Sequence, residues 1–82
     1  MASKKTIKAA FEAMMFTWGE PLAVKTAADV FGIANKDAYE YFKELQEEYE
    51  REGRGLRVRE INGAFQFVTA EDVCDYIERL RT

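Results

Sequence analysis

The sequence predicts a small α+β domain: three helices, a tight β-hairpin and a final helix. Three observations carry that prediction. Ala38, Phe42, Leu45 and Tyr49 recur at helical spacing and form one continuous apolar stripe. Asn62-Gly63 stands between two alternating segments, the strongest two-residue signal for a type I′ hairpin turn. Glycines and the one proline sit singly between the periodic segments, where they stop one element and open the next.

The first helix is expected over residues 4–17. Ile7, Phe11, Met14 and Trp18 fall on one face when it is wound at helical pitch, as a core-facing stripe should. Gly19-Glu20-Pro21 breaks it. A short second helix over residues 23–31 offers Leu22, Ala27, Val30 and Phe31 inward, with Ile33 following its Gly32 stop. Asn35 is a suitable N-cap for the third helix, over residues 35–52, and Asp37 lies in its first turn, where the helix dipole favours an acid. The opposite side carries Lys36, Glu40, Lys43, Glu44, Glu47 and Arg51.

Residues 56–69 read as the hairpin. With Asn62-Gly63 as its loop, Ile61 faces Ala64, Arg59 faces Gln66 and Val58 faces Phe67. Leu56, Val58, Phe65 and Phe67 are then expected to share the buried side, with Glu60 near Phe65 and able to reach water. Thr69 is the expected cap of a last helix, with Asp72 three residues on. Val73, Ile77 and Leu80 form its inner stripe and Tyr76 widens it. Three helices, a tight hairpin and a C-terminal helix are the winged-helix arrangement. The second and third helices form the helix-turn-helix and the hairpin is a two-stranded wing.

Composition narrows the chemistry. The chain has no histidine and one serine, Ser3, in a polar lead-in expected to fray, so no Ser–His or Cys–His nucleophile pair can be assembled. One cysteine, Cys74, permits no internal disulfide and no zinc site of the usual Cys/His kind. It reads as a small apolar residue of the last helix. No glycine-rich phosphate loop, signal peptide or membrane-spanning run is present. These absences point away from an enzyme, a cofactor and a membrane partner, and the single cysteine points toward a reducing, intracellular setting.

A DNA-reading winged helix places its third helix in the major groove, where basic and amide side chains are needed. Residues 35–52 hold three basic and seven acidic residues, a balance that disfavours direct DNA contact. Arg54, Arg57 and Arg59 are the counterweight, since they could form a basic strip along the wing for nucleic acid or for a protein. The simpler reading is that alternating arginines keep an exposed strand wet and pair with nearby glutamates.

The first helix has a second apolar side. Ala9, Ala13 and Phe16 line up away from its core stripe. Small residues permit close approach, and a buried phenylalanine contributes about 1.5–3 kcal/mol. A second copy of the chain would cover this side by self-association, and the last helix folding back would cover it from within. Both remain open on sequence alone. Tyr39 and Tyr41, beside the stripe of the third helix, are further contact candidates.

Several stretches resemble the N-terminal winged-helix domain of the segregation and condensation protein B (ScpB) family, the kleisin-associated subunit of the prokaryotic SMC–kleisin condensin complex. They are F-T-W-G-E-P-L at residues 16–22, F-G-I at 31–33, and E-E-Y-E-R-E-G-R-G-L-R-V-R-E-I-N-G-A-F-Q-F-V-T at 47–69. Y-I-E-R-L at residues 76–80 completes them. The glycines, aromatics and spacing of the third stretch make it the most specific. A departure is Ala27, where the family carries a larger aliphatic residue, which bears on the packing of the second helix. The resemblance implies that residues 1–82 are a single winged-helix domain and an N-terminal fragment of a tandem winged-helix protein. It further implies a homodimer, a kleisin and SMC complex as partners, and a role in chromosome condensation and segregation at the nucleoid. The kleisin contact is implied mainly through the second domain. A small DNA-binding transcriptional regulator using the arginine-bearing wing is the alternative.

Overall fold

The computed structural model describes residues 2–82. The elements run α1 (Lys4–Trp18), β1 (Leu22–Ala23), α2 (Val24–Phe31), α3 (Asn35–Arg51), β2 (Leu56–Ile61), β3 (Ala64–Thr69), a short 3-10 turn (Glu71–Val73) and α4 (Cys74–Arg81). This is the expected helix-turn-helix with wing and C-terminal helix, and it adds a strand.

The addition is β1. Two residues after Pro21 pair antiparallel with β3, Leu22 opposite Phe65 and Ala23 opposite Ala64. The wing is therefore the larger part of a three-stranded sheet ordered β1-β3-β2. A two-residue strand has no periodicity to display, so no pattern in the sequence announces it. The backbone N–H of Val24 donates to the Gly63 carbonyl at 3.0 Å, fastening the start of α2 to the hairpin tip.

The β2–β3 register is the one the turn dictates, with Ile61 opposite Ala64, Arg59 opposite Gln66 and Val58 opposite Phe67. Asn62 (φ 46°) and Gly63 (φ 77°) both take positive φ, the requirement of a type I′ turn. Val58 and Phe65 are buried and Phe67 half-buried, but Leu56 is exposed. It begins an edge strand, where no further strand covers it.

The core is an aromatic column. Phe11 of α1 stacks on Phe42 of α3 with ring centroids 4.5 Å apart, and Phe42 stacks on Phe65 of β3 at 4.9 Å. All three rings are fully buried. Phe31 meets Phe11 edge-on, a favoured aromatic geometry. Ala27, Ala28 and Ala38 are fully buried around them, so α2 and α3 approach closely through small side chains. Ala27, where the chain departs from the pattern it resembles, thus falls on a core position.

The α3 stripe lies as expected, with Ala38, Phe42 and Leu45 buried and Tyr49 packed against the core. The α1 stripe is rotated and shortened. Ile7, Phe11 and Met15 are buried and Met14 is partly buried, while Trp18 is 52% exposed. Residues 16–21 are all exposed. Trp18 falls in the stripe by angle, but the helix has run past the packed region before reaching it. In α2, Val24 and Ala28 are buried where Val30, at 64% exposure, is not.

Caps also differ from expectation. Ser3 is ordered as the N-cap of α1, where its hydroxyl accepts from the Thr6 N–H at 3.2 Å. Ala34 precedes α3 in the cap position, so Asn35 is its first helical residue and offers no side-chain cap. Thr69 ends β3, and Ala70, buried, precedes the 3-10 turn without a side-chain cap. No residue of α4 is buried: Ile77 is half-buried, Tyr76 is exposed and Leu80 is 83% exposed. Cys74 is exposed and its thiol donates to the Ala70 carbonyl at 3.6 Å. The expected inner stripe of the last helix is therefore no core stripe. The molecule measures 45 × 23 × 20 Å, long in one direction.

Candidate functional site

α1 divides into two halves with different surroundings. Its N-terminal half meets α3 across a groove of about 670 Å³. Ion pairs span that groove. Lys4 pairs with Glu44 at 2.9 Å, and Lys8 bridges Glu44 at 3.2 Å and Glu48. The Lys8 side chain is only 15% exposed. Burial opposes its charge, but hydrogen bonds to Glu48 and Glu44 outweigh burial and raise its pKa. The hydrogen bond from Lys4, with help from Lys8, lowers the Glu44 pKa against partial burial. Tyr49 donates to Glu12 across the same seam. Ala9 lines the groove beside these groups.

The C-terminal half is apolar and open. Phe16 is 77% exposed, and Ala13 beside it is exposed too. Next to Phe16 lies a smaller pocket, about 260 Å³, between the end of α1 and the hairpin. Met15, Phe16 and Glu20 form one wall; Leu56, Gln66 and Phe67 form the other. α4, which has no buried residue, provides no core-forming cover for this side. Leu56 was assigned inward from strand alternation, yet it is exposed and lines this pocket. Its place as first residue of the strand, directly after Gly55, is the signal that alternation alone overlooks. Trp18 and Val30 are further exposed apolar residues of the surface.

The two tyrosine candidates are occupied within the chain. The Tyr39 hydroxyl donates to Glu60 at 3.0 Å and its ring packs on Phe65. Hydrogen bonding to Glu60 raises the Tyr39 pKa. Lys43 reaches the same carboxylate at 3.6 Å, so Tyr39 joins α3 to the wing. Tyr41 packs on Phe11, from the inner side of α1, with the Lys4 ammonium 5.5 Å above its ring. Ala9, Ala13 and Phe16 share one outer side of α1; Tyr39 and Tyr41 reach other neighbours.

The three arginines do not act alike. Arg54 donates to Glu52 at 2.7 Å and lies over the Tyr49 ring. The bond to Glu52 raises its pKa. Arg57 donates to the carbonyls of Arg54 and Leu56. Arg59 is exposed, opposite Gln66 in the sheet. Among the described residues no helix is long and apolar enough to cross a membrane.

The family model described as "Segregation and condensation complex subunit ScpB" matches residues 9–82. Segregation and condensation protein B of Symbiobacterium thermophilum is 37% identical over 73 residues, covering 89% of this chain and 33% of that protein. The protein of the same name from Moorella thermoacetica is 38% identical over 74 residues, covering 90% and 38% respectively. The chain thus spans little more than a third of the length of these relatives. Among solved structures, the "dimer of ScpB N-terminal domain complexed with ScpA peptide" superposes with a TM-score of 0.87 at 30% identity. It covers 96% of this chain and 99% of that one. ScpB from Mycobacterium tuberculosis superposes at 0.92, covering 98% of this chain and 50% of that one. At 15% identity it speaks for the fold alone. The match from Ala9 to the last residue takes in the outer side of α1, the helix-turn-helix, the hairpin and α4, and the chain belongs to the segregation and condensation complex subunit ScpB family.

Proposed function

We propose that this chain is a non-enzymatic assembly module that self-associates through the outer side of α1. In this reading it acts in the cytoplasm, at the nucleoid, within an SMC–kleisin condensin complex that condenses and segregates chromosomes. It is also read as the N-terminal winged-helix unit of a longer tandem protein, in keeping with the share of its relatives that it spans.

The observation that carries the reading is Phe16, 77% exposed on a helix face that α4 leaves open. Burying such a side chain contributes about 1.5–3 kcal/mol, and a two-fold contact does so twice. The 30% identical neighbour, described as a dimer with an ScpA peptide, supports both a second copy and a kleisin as partners. The resemblance implies that a second domain makes most of the kleisin contact, while the neighbour's ScpA peptide is found with a dimer of the N-terminal domain alone. Against an enzyme stands the inventory: no histidine, and a single serine engaged as a helix cap. Against the DNA-binding regulator stand an acidic α3 and wing arginines of which Arg54 is paired with Glu52.

Sedimentation equilibrium over a wide concentration range tests the reading, with Phe16→Glu beside the parent chain. The expected result is a dimer that the substitution converts to a folded monomer. A parent chain that stays monomeric at high concentration would remove self-association. A tandem-domain version that fails to bind a central kleisin segment would remove the assembly role.

A further inference from the structure

We infer that Gln46 and Arg57 guard the open edge of the sheet, holding the backbone carbonyls that a further strand would pair with, and so keep β2 of one copy from adding to β2 of another. The inference stands apart from the self-association reading above, which concerns the outer side of α1. In the order β1-β3-β2 both sides of β3 are taken, and β2 is left with one side unpaired. The turn settles which groups face outward. Ile61 and Ala64 flank the two-residue loop and form a hydrogen-bonded pair, so Glu60, Val58 and Leu56 turn their N–H and C=O groups away from β3. A row of that kind is a template for another strand, and a second copy offers the same row in antiparallel order about a two-fold axis.

The sequence places a polar line of α3 beside that edge. Tyr39, Lys43, Gln46 and Glu50 recur at helical spacing, each one residue after a member of the core stripe. The side-chain amide of Gln46 donates to the Val58 carbonyl at 2.9 Å. Tyr39 and Lys43 hold the Glu60 carboxylate at 3.0 and 3.6 Å. From the strand itself, the Arg57 guanidinium folds back and donates to the Leu56 carbonyl at 3.1 Å. Two of the three outward carbonyls, those of Leu56 and Val58, are thus held by side chains. Glu50 joins Glu71 and Asp72 at a hollow of about 390 Å³ that Gln46, Arg57 and Val58 also line. These three acids are exposed, and a second copy arriving at this edge carries the same three carboxylates. Hydrogen bonding and charge therefore work in the same direction, against edge-to-edge pairing.

The test is made on Phe16→Glu, so that contact through α1 does not obscure contact through the edge. Gln46→Ala and Arg57→Ala are added singly and together, with the fold checked by circular dichroism. Each chain is followed by sedimentation velocity across a concentration range and by amide hydrogen exchange. The double variant is expected to associate about tenfold or more tightly than its parent, since each copy frees two acceptors. Exchange at the Val58 and Glu60 N–H groups should slow as its concentration rises. Gln46→Lys keeps a donor within reach of Val58 and should behave as the parent does. A double variant that associates no more than its parent would overturn the inference, as would association that leaves exchange at Val58 and Glu60 unchanged. Equal association of Gln46→Lys and Gln46→Ala would overturn the part assigned to the hydrogen bond. Should the double variant not fold, Gln46→Ala decides alone, and exchange at Val58 that does not respond to concentration overturns the guard.

Discussion

Tyr49 of α3 donates its hydroxyl to the Glu12 carboxylate of α1, so this hydrogen bond joins those of Lys8 in spanning the seam between the first and third helices. Burial, and then the bond to Glu12, push the Tyr49 pKa up from 10.0 to about 12. The folded chain therefore holds this proton more tightly than the unfolded chain does. The contact contributes fully below pH 10.0 and is lost as the pH rises from there through about 12. Tyr49→Phe is expected to cost about 1 kcal/mol at neutral pH. It should also blunt the alkaline loss of stability, part of which remains because Tyr39 is held by Glu60 in the same sense. Urea midpoints at neutral and alkaline pH check this; equal alkaline sensitivity in parent and variant would refute the assignment.

Phe42 is the middle ring of the aromatic column, fully buried between Phe11 and Phe65. Phe42→Ala removes both stacking faces at once and is expected to cost about 3–5 kcal/mol. Domains of this kind hold only about 5–15 kcal/mol in total, and small ones lie at the low end. The variant should be largely unfolded at moderate urea, as read by far-ultraviolet circular dichroism. A loss under about 1 kcal/mol would be inconsistent with a ring at the centre of the core.

Gly63 adopts φ 77° at the hairpin tip, with open space where a Cβ would stand. The cost of a side chain there is one of backbone, not collision. Gly63→Val is expected to lose about 1–2 kcal/mol. Gly55, also in open space but outside the positive-φ region, should tolerate alanine with little change. Equal urea midpoints for the two variants would show that the turn does not require the left-handed conformation.

Duplex DNA titrated at physiological salt should show no binding tighter than the non-specific range, about 10⁻⁶ M or weaker. Replacing Arg57 and Arg59 together by alanine should leave that weak signal nearly unchanged. Fluorescence anisotropy on labelled duplex decides it. Tight, salt-dependent binding abolished by the double variant would revive the regulator reading.

The helix-turn-helix and the wing were legible because their signals are local. Asn62-Gly63 alone sets the register of six residue pairs, and the α3 stripe from Ala38 to Tyr49 repeats for three turns. What escaped was set by tertiary context. β1 exists only because β3 has a free edge for Leu22 and Ala23. Met15 is in and Trp18 out because of where the core ends along α1, which angular position does not encode. Leu80 looks inward on a helical wheel, yet α4 has nothing packed above it there. For the candidate site, the sequence singled out Phe16 through a second apolar side on a helix with one already assigned. It had no means of finding the pocket, whose two walls are contributed by residues some forty to fifty positions apart.

α4 contributes no side chain to the aromatic column and is moored chiefly at the 3-10 turn. In mechanical terms it is a tether and not a wall. A pull on the C-terminal end meets a helix whose outer turn is held by little beyond its own backbone bonds. That turn is expected to fray before strain reaches Phe65. The aromatic column is thereby expected to be little disturbed by movement of α4.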